Sequence, residues 1–126
     1  MIDKEGNAKL ISFGISTEVC IRTIKKGPVS QLYATAPEVL IDNEYDEAAD
    51  IWGVGVVLYI MLAGYRPFSA QEAKDFIDKG INKKIQFYPK EWSKISSDAK
   101  RMINALVTPD KIERSTAEKA LLHPWI

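Results

Sequence analysis

Apolar residues along this chain recur mostly at helical spacing. In "SSDAKRMINALV" they fall at Ala99, Met102, Ile103, Leu106 and Val107. That i, i+3, i+4, i+7, i+8 stripe predicts an amphipathic helix over 97–107. In "QEAKDFIDKG" Ala73, Phe76 and Ile77 share a face and Gly80 suits the residue after a helix end. A helix over about 70–79 follows. "IWGVGVVLYIMLAG", Ile51 to Gly64, is apolar on every side and predicts a core helix over about 50–63, buried on most of its faces. Shorter helices are predicted from Pro37 and over 116–122. Three segments have the capping-box form of a hydroxyl followed three positions later by Glu: "TAPE" (Thr35 to Glu38), "SAQE" (Ser69 to Glu72) and "STAE" (Ser115 to Glu118). Asp50 precedes the apolar run and suits its N-cap.

The period changes at the N-terminus. "AKLISF" reads as a short strand, and "DKEGN" before it reads as a turn. Only Met1 and Ile2 stand ahead of that turn. The implied hairpin therefore has almost no first strand, and two-stranded hairpins are marginal even when whole. From Gly14 to Ala34 no period is visible, and Gly27-Pro28 breaks the segment. A loop of about twenty residues inside a compact domain is usually functional or disordered. The expected fold is mainly α, with a short residual β-hairpin or strand at the N-terminus.

Composition narrows the function classes. The chain has 126 residues, which implies one domain. Seventeen basic and seventeen acidic residues cancel. This argues against a general nucleic-acid or anionic-membrane binder, which needs surplus Lys and Arg. The single cysteine, Cys20, permits no internal disulfide and favours a reducing, cytoplasmic setting. The 14-residue apolar run falls short of the roughly 20 needed to span a bilayer.

Four blocks, in this order, carry a resemblance: "IDKEGNAKLISFG", "ATAPEVL", "DIWGVGVVLYIMLAGYRPF" and "ISSDAKRMINALVTPDKIERSTAEKALLHPWI". Together they resemble the C-terminal lobe of a protein kinase catalytic domain, of the calcium/calmodulin-dependent and calcium-dependent serine/threonine type. Ser12-Phe13-Gly14 looks like the Asp-Phe-Gly signature with serine in place of aspartate. Ala36-Pro37-Glu38 looks like the end of an activation segment. Asp50-x-Trp52-x-x-Gly55 looks like the family's central helix. The resemblance implies a partial kinase domain, with strand and Ser-Phe-Gly turn in 1–14, an activation-segment-like loop in 15–38 and a helical lobe in 39–126.

It also implies roles. Kinases hold magnesium with the Asp-Phe-Gly aspartate and a catalytic-loop Asn, and take the hydroxyl proton with an Asp in a His-Arg-Asp loop. These 126 residues contain no Gly-rich phosphate loop, no Val-Ala-Ile-Lys and no His-Arg-Asp. Magnesium favours carboxylates and phosphates, so Ser12 marks a degenerate metal position. Phe13 and Gly14 keep an anchor and a hinge. Glu38 and Arg114 match the family's structural ion pair. Asp50 is left with helix capping, because the loop it serves in the family is absent from this sequence. Ser16, Thr17, Thr23 and Ser30 are candidate phosphorylation sites. Gln31 replaces the threonine that contacts the catalytic aspartate, and Lys25-Lys26 reads as a solvated basic turn. His123 has a structural place in the family.

No catalytic residue, metal or cofactor is expected for this chain alone, although the parent family uses ATP and magnesium. Three readings stand side by side. The chain is a pseudokinase-like binding or scaffold module. Alternatively it is a piece, or an incomplete gene model, of an active ATP-dependent serine/threonine kinase. Or it self-associates through an exposed apolar central helix and an open strand edge. The expected partner is a protein, with no nucleic acid and no membrane.

Overall fold

The computed structural model describes residues 1–11, 13–16, 33–41, 46–69, 71, 72, 75 and 85–126. Five helices lie among them: α1 (Pro37–Ile41), α2 (Glu47–Ala63), α3 (Pro89–Trp92), α4 (Ser97–Leu106) and α5 (Ala117–Leu121).

The longest, α2, has chemically defined ends. Asp46 is extended (φ −140°) and its carboxylate accepts from the Ala48 amide at 3.0 Å. The cap expected at Asp50 is thus four residues earlier, and Asp50 lies inside the first turn. Two aspartates flank this start, and the one ahead of Glu47 is the one with non-helical backbone, as an N-cap requires. At the other end Gly64 adopts φ 78° and donates its amide to the Ile60 carbonyl at 2.8 Å. The left-handed conformation suits glycine and stops the helix.

Ala49, Trp52, Gly55, Val56 and Tyr59 form the inner face of α2. They meet the stripe of α4, where Ala99, Met102, Ile103, Leu106 and the following Val107 are all buried. A Cβ on Gly55 would lie 2.5 Å from Val107 Cγ2 and 2.7 Å from Leu106 Cβ. Gly55 is therefore where the backbones approach most closely. Most positions of α2 are buried or half-buried, in line with the expectation, while Val54, Val57 and Met61 are exposed.

Aromatic side chains fill the end of the core near the α2 C-terminus. Trp52 stacks on Phe68 (5.7 Å, 11°). Tyr59 packs 4.7 Å from Trp92, and Trp92 meets Phe87 edge-on. The Tyr59 hydroxyl donates to the Gln86 carbonyl at 2.7 Å, and Trp92 Nε1 donates to the Tyr65 hydroxyl at 3.2 Å. Burial, reinforced by the Tyr65 hydroxyl 3.2 Å away, pushes the Tyr59 hydroxyl pKa up from its ordinary value. Helix α3 was not foreseen from periodicity, since four residues are too few to show a period. Its sign is Pro89 in the first turn, a position that proline tolerates well.

Helix starts elsewhere follow side-chain capping. Ser96 accepts from Ala99 N at 3.2 Å. Ser69 and Glu72 make the reciprocal capping box, with Glu72 N donating to Ser69 Oγ at 3.1 Å and Ser69 N to Glu72 Oε2 at 2.9 Å. The rest of the helix expected over 70–79 lies almost wholly outside the described residues. At the last helix the cap is Thr116, which accepts from Lys119 N, rather than Ser115. The Ser115 amide is already bonded to the Ala105 carbonyl at 3.0 Å, so the helix begins one residue later.

The N-terminal pairing is minimal. A single antiparallel bridge, Ile2 to Ala8, closes the turn, and no ladder continues from it. The turn itself is well bonded: Asp3 accepts from the Asn7 amide at 2.7 Å and the Glu5 amide at 3.1 Å, and Gly6 takes φ 88°. Leu10 and Ile11 are exposed, and Phe13–Ile15 is a single 3-10 turn. Beside the bridge Met1 and Lys9 exchange backbone hydrogen bonds, each at 2.8 Å.

Candidate functional site

The only buried charged groups among the described residues are Glu38 and Arg114. Glu38 stands in the first turn of α1, behind Pro37, and Arg114 follows the turn 110–113. That turn is shaped by Asp110, whose carboxylate accepts from the Ile112 amide at 2.8 Å and whose carbonyl accepts from the Arg114 amide at 3.0 Å. Seventy-six positions apart in sequence, the two side chains meet in a two-pronged contact. Arg114 Nη1 donates to Glu38 Oε1 at 2.6 Å and Nη2 to Oε2 at 2.8 Å.

The guanidinium makes three further bonds. Nη1 also donates to the Ala48 carbonyl at 2.7 Å, Nη2 to Pro109 at 3.1 Å and Nε to Thr108 at 2.8 Å. All five N–H groups of an arginine are thereby used. Its carbon Cζ lies 5.2 Å from the centre of the Trp52 ring. One side chain thus joins α1, the first turn of α2, the chain leaving α4 and the aromatic core. Both Glu38 oxygens are turned to Arg114. A second tie runs beside it. Asp46, the α2 cap, pairs with Lys111 at 3.2 Å.

A family model for the protein kinase domain matches residues 1–126. The chain belongs to the protein kinase domain family. It is 39% identical over 125 residues to calcium-dependent protein kinase 21 of Arabidopsis thaliana, covering 98% of this chain and 23% of that protein. It is 34% identical over 123 residues to a calcium and calcium/calmodulin-dependent serine/threonine-protein kinase of Lotus japonicus, covering 98% of this chain and 24% of that protein. The kinase-domain segment thus spans about a quarter of the length of the curated relatives it matches.

The other expected site positions fall as follows. Ser12, Thr17, Thr23 and Ser30 lie outside the described residues, as do Cys20, Lys25, Lys26 and Gln31. Phe13 is 66% exposed, so the anchor expected of it is not formed against any described residue. A Cβ on Gly14 would meet nothing within 4 Å, so no steric contact requires glycine there. His123 is part of the C-terminal turn, where its Nδ1 accepts from the Trp125 amide at 3.2 Å.

Position 12 offers a neutral hydroxyl. Among the described residues no three His, Cys, Asp or Glu side chains gather into a metal-holding group. No helix among the described residues is long and apolar enough to cross a membrane. Sequence reasoning missed Asp46, Lys111 and the Ala48 carbonyl. The signal for the first was present in "DEAAD", where an earlier aspartate competes for the cap.

Proposed function

We propose that this chain is a C-lobe segment of a calcium-dependent-type serine/threonine kinase domain that transfers no phosphate by itself and acts by binding a protein partner. One contrast supports it. The Glu38–Arg114 clamp that organises the lobe is complete, with every arginine donor used. The residues that perform phosphoryl transfer are absent from these 126 positions, and serine stands at the metal position. The purified chain, mixed with ATP, magnesium and a generic serine-containing peptide, gives no more labelled peptide than a heat-killed control. Transfer above that control would refute the proposal.

A second reading, a piece of an active ATP-dependent kinase, is favoured by the chain's coverage of only 23–24% of its relatives. An in-frame His-Arg-Asp and a lysine-bearing strand in the genomic sequence upstream would support it. Ser12 would still weaken magnesium binding in the joined protein.

A further inference from the structure

Four aromatic side chains meet beside the end of α2: Tyr59, Tyr65, Phe87 and Trp92. Three of them carry a donor. Tyr59 and Trp92 are buried, and Tyr65 is half-buried. Gly64, at φ 78°, turns the chain back, and the Tyr65 ring meets Tyr59 edge-on at 5.6 Å. The next residue, Arg66, stacks its guanidinium 4.1 Å above the Tyr33 ring and so holds the far side of that turn. The proton count fixes the direction of every polar bond here. A tyrosine hydroxyl has one proton to give, a carbonyl only accepts and an indole N–H only donates. The Gln86 carbonyl, 2.7 Å from the Tyr59 hydroxyl, therefore takes the Tyr59 proton. The 3.2 Å contact between the two tyrosines is then made by the Tyr65 proton. Trp92 Nε1, 3.2 Å away, donates to the Tyr65 oxygen. The chain of bonds runs one way, from Trp92 through Tyr65 and Tyr59 to Gln86.

We propose that this hydroxyl chain is a latch that fastens residues 85–92 to the end of α2, with the Tyr65 hydroxyl as its release point, and that these residues open as a unit apart from the α2–α4 core. Both ends of the chain, the Gln86 carbonyl and the Trp92 indole, belong to that one segment. Both middle members come from α2 and the turn after it. Tyr65 is the member that bonds to two other side chains, so losing its hydroxyl breaks two of the three bonds at once. The buried Trp92 donor is then left without its acceptor, and a buried unsatisfied donor is costly. Bonds aligned head to tail polarise one another, so they strengthen together and are lost together. What else anchors the segment is apolar: the buried Ile85 and the rings of Phe87 and Trp92 against Tyr59. Contiguous segments held in this way open below the free energy of global unfolding. The latch shares no residue with the Glu38–Arg114 clamp and is independent of phosphotransfer.

Hydrogen exchange followed by nuclear magnetic resonance tests this. The chain has three tryptophans, so three indole signals are to be assigned. In the parent, the Trp92 indole proton is less protected than the Val107 amide, which is bonded to the Ile103 carbonyl at 2.8 Å inside the α2–α4 core. Tyr65→Phe speeds Trp92 exchange by about fivefold to a hundredfold, the range for two lost bonds, and leaves Val107 protection as it was. Tyr59→Phe breaks the bond to Gln86 and the bond the two tyrosines share. Both single variants lose that shared bond, so the double variant Tyr59→Phe/Tyr65→Phe falls about fivefold short of the product of the two accelerations. Equal protection of Trp92 and Val107 in the parent overturns the proposal, and this comparison needs no variant to fold. So does a Tyr65→Phe chain whose Trp92 exchange is parental, or one in which Val107 exchange rises in step. A double variant that equals the product of its singles overturns it as well.

Discussion

Replacing Arg114 by lysine keeps the charge and removes the fork. Arginine here supplies five donors in one plane, two to Glu38 and three to the carbonyls of Ala48, Thr108 and Pro109. Lysine has three donors on one nitrogen and cannot span both carboxylate oxygens and those carbonyls together. Losing one charge-assisted bond while the site stays buried costs about 1.5–3 kcal/mol. Arg114→Met removes the cation altogether and leaves Glu38 charged, with its side chain only 8% exposed. That change costs about 3–5 kcal/mol. Stabilities of small domains are of order 5–15 kcal/mol, so the methionine variant is close to unfolding at room temperature. At about 4 °C per kcal/mol for a chain of this size, its melting temperature falls by roughly 12–20 °C. The assay is urea unfolding followed by tryptophan fluorescence, with Trp52 directly beneath the guanidinium. The double variant Glu38→Leu/Arg114→Met is expected to be less destabilised than the sum of its singles by at least about 1 kcal/mol, since it leaves no unpaired charge. Two results would refute the reasoning: an Arg114→Lys chain within about 0.5 kcal/mol of the parent, or additivity of the pair within about 0.5 kcal/mol.

The two helical glycines of α2 should respond in opposite directions. Gly55→Ala drives a methyl into Leu106 and Val107 and is expected to cost about 1–3 kcal/mol, whereas Gly53→Ala, with nothing within 4 Å, gains up to about 1 kcal/mol; thermal melts compare them. Asp46→Ala removes the α2 cap and the Lys111 partner and costs about 1–2 kcal/mol, while Asp46→Asn keeps the cap and loses only the ion pair, at a few tenths of a kcal/mol by the same melts. The Asp3 carboxyl is held below its ordinary value of 3.8, chiefly by the Asn7 amide. A depressed folded pKa means the unfolded chain takes up its proton first, so the turn's contribution is present above pH 3.8 and is lost as pH falls through the lower folded value. The Asn7 amide resonance should shift in that acid window, and Asp3→Asn should abolish the shift.

Different parts of this molecule were legible for different physical reasons. The stripe of α4 was readable because burial on one flank of a helix imposes a period on sequence. The apolar run of α2 shows no period because the valines and methionine on its outer line are as apolar as the residues inside. The capping error at Asp50 arose because an apolar run shows where a helix is greasy, while an N-cap is set by backbone conformation. The strand read over 8–13 finds Met1 and Ile2 opposite Lys9 and Ala8, and Leu10 and Ile11 stay exposed. The Glu38–Arg114 contact has no local pattern, since 76 positions separate its partners; only likeness to a family suggested it, and burial with two-pronged geometry now describes it. Arg66 on Tyr33 was foreseen by neither route.

The composition of the Arg114 acceptor set bears on how this sequence can drift. Three of its five bonds end on main-chain oxygens, at Ala48, Thr108 and Pro109. Every residue type offers that oxygen. Substitution at those three positions is therefore silent to the clamp so long as the local backbone path is kept. At 38 and 114 the acceptor and donor are the side chains themselves, and almost no alternative amino acid reproduces either. The junction of four segments thus rests its identity on two letters of the sequence and leaves the letters around them open to change.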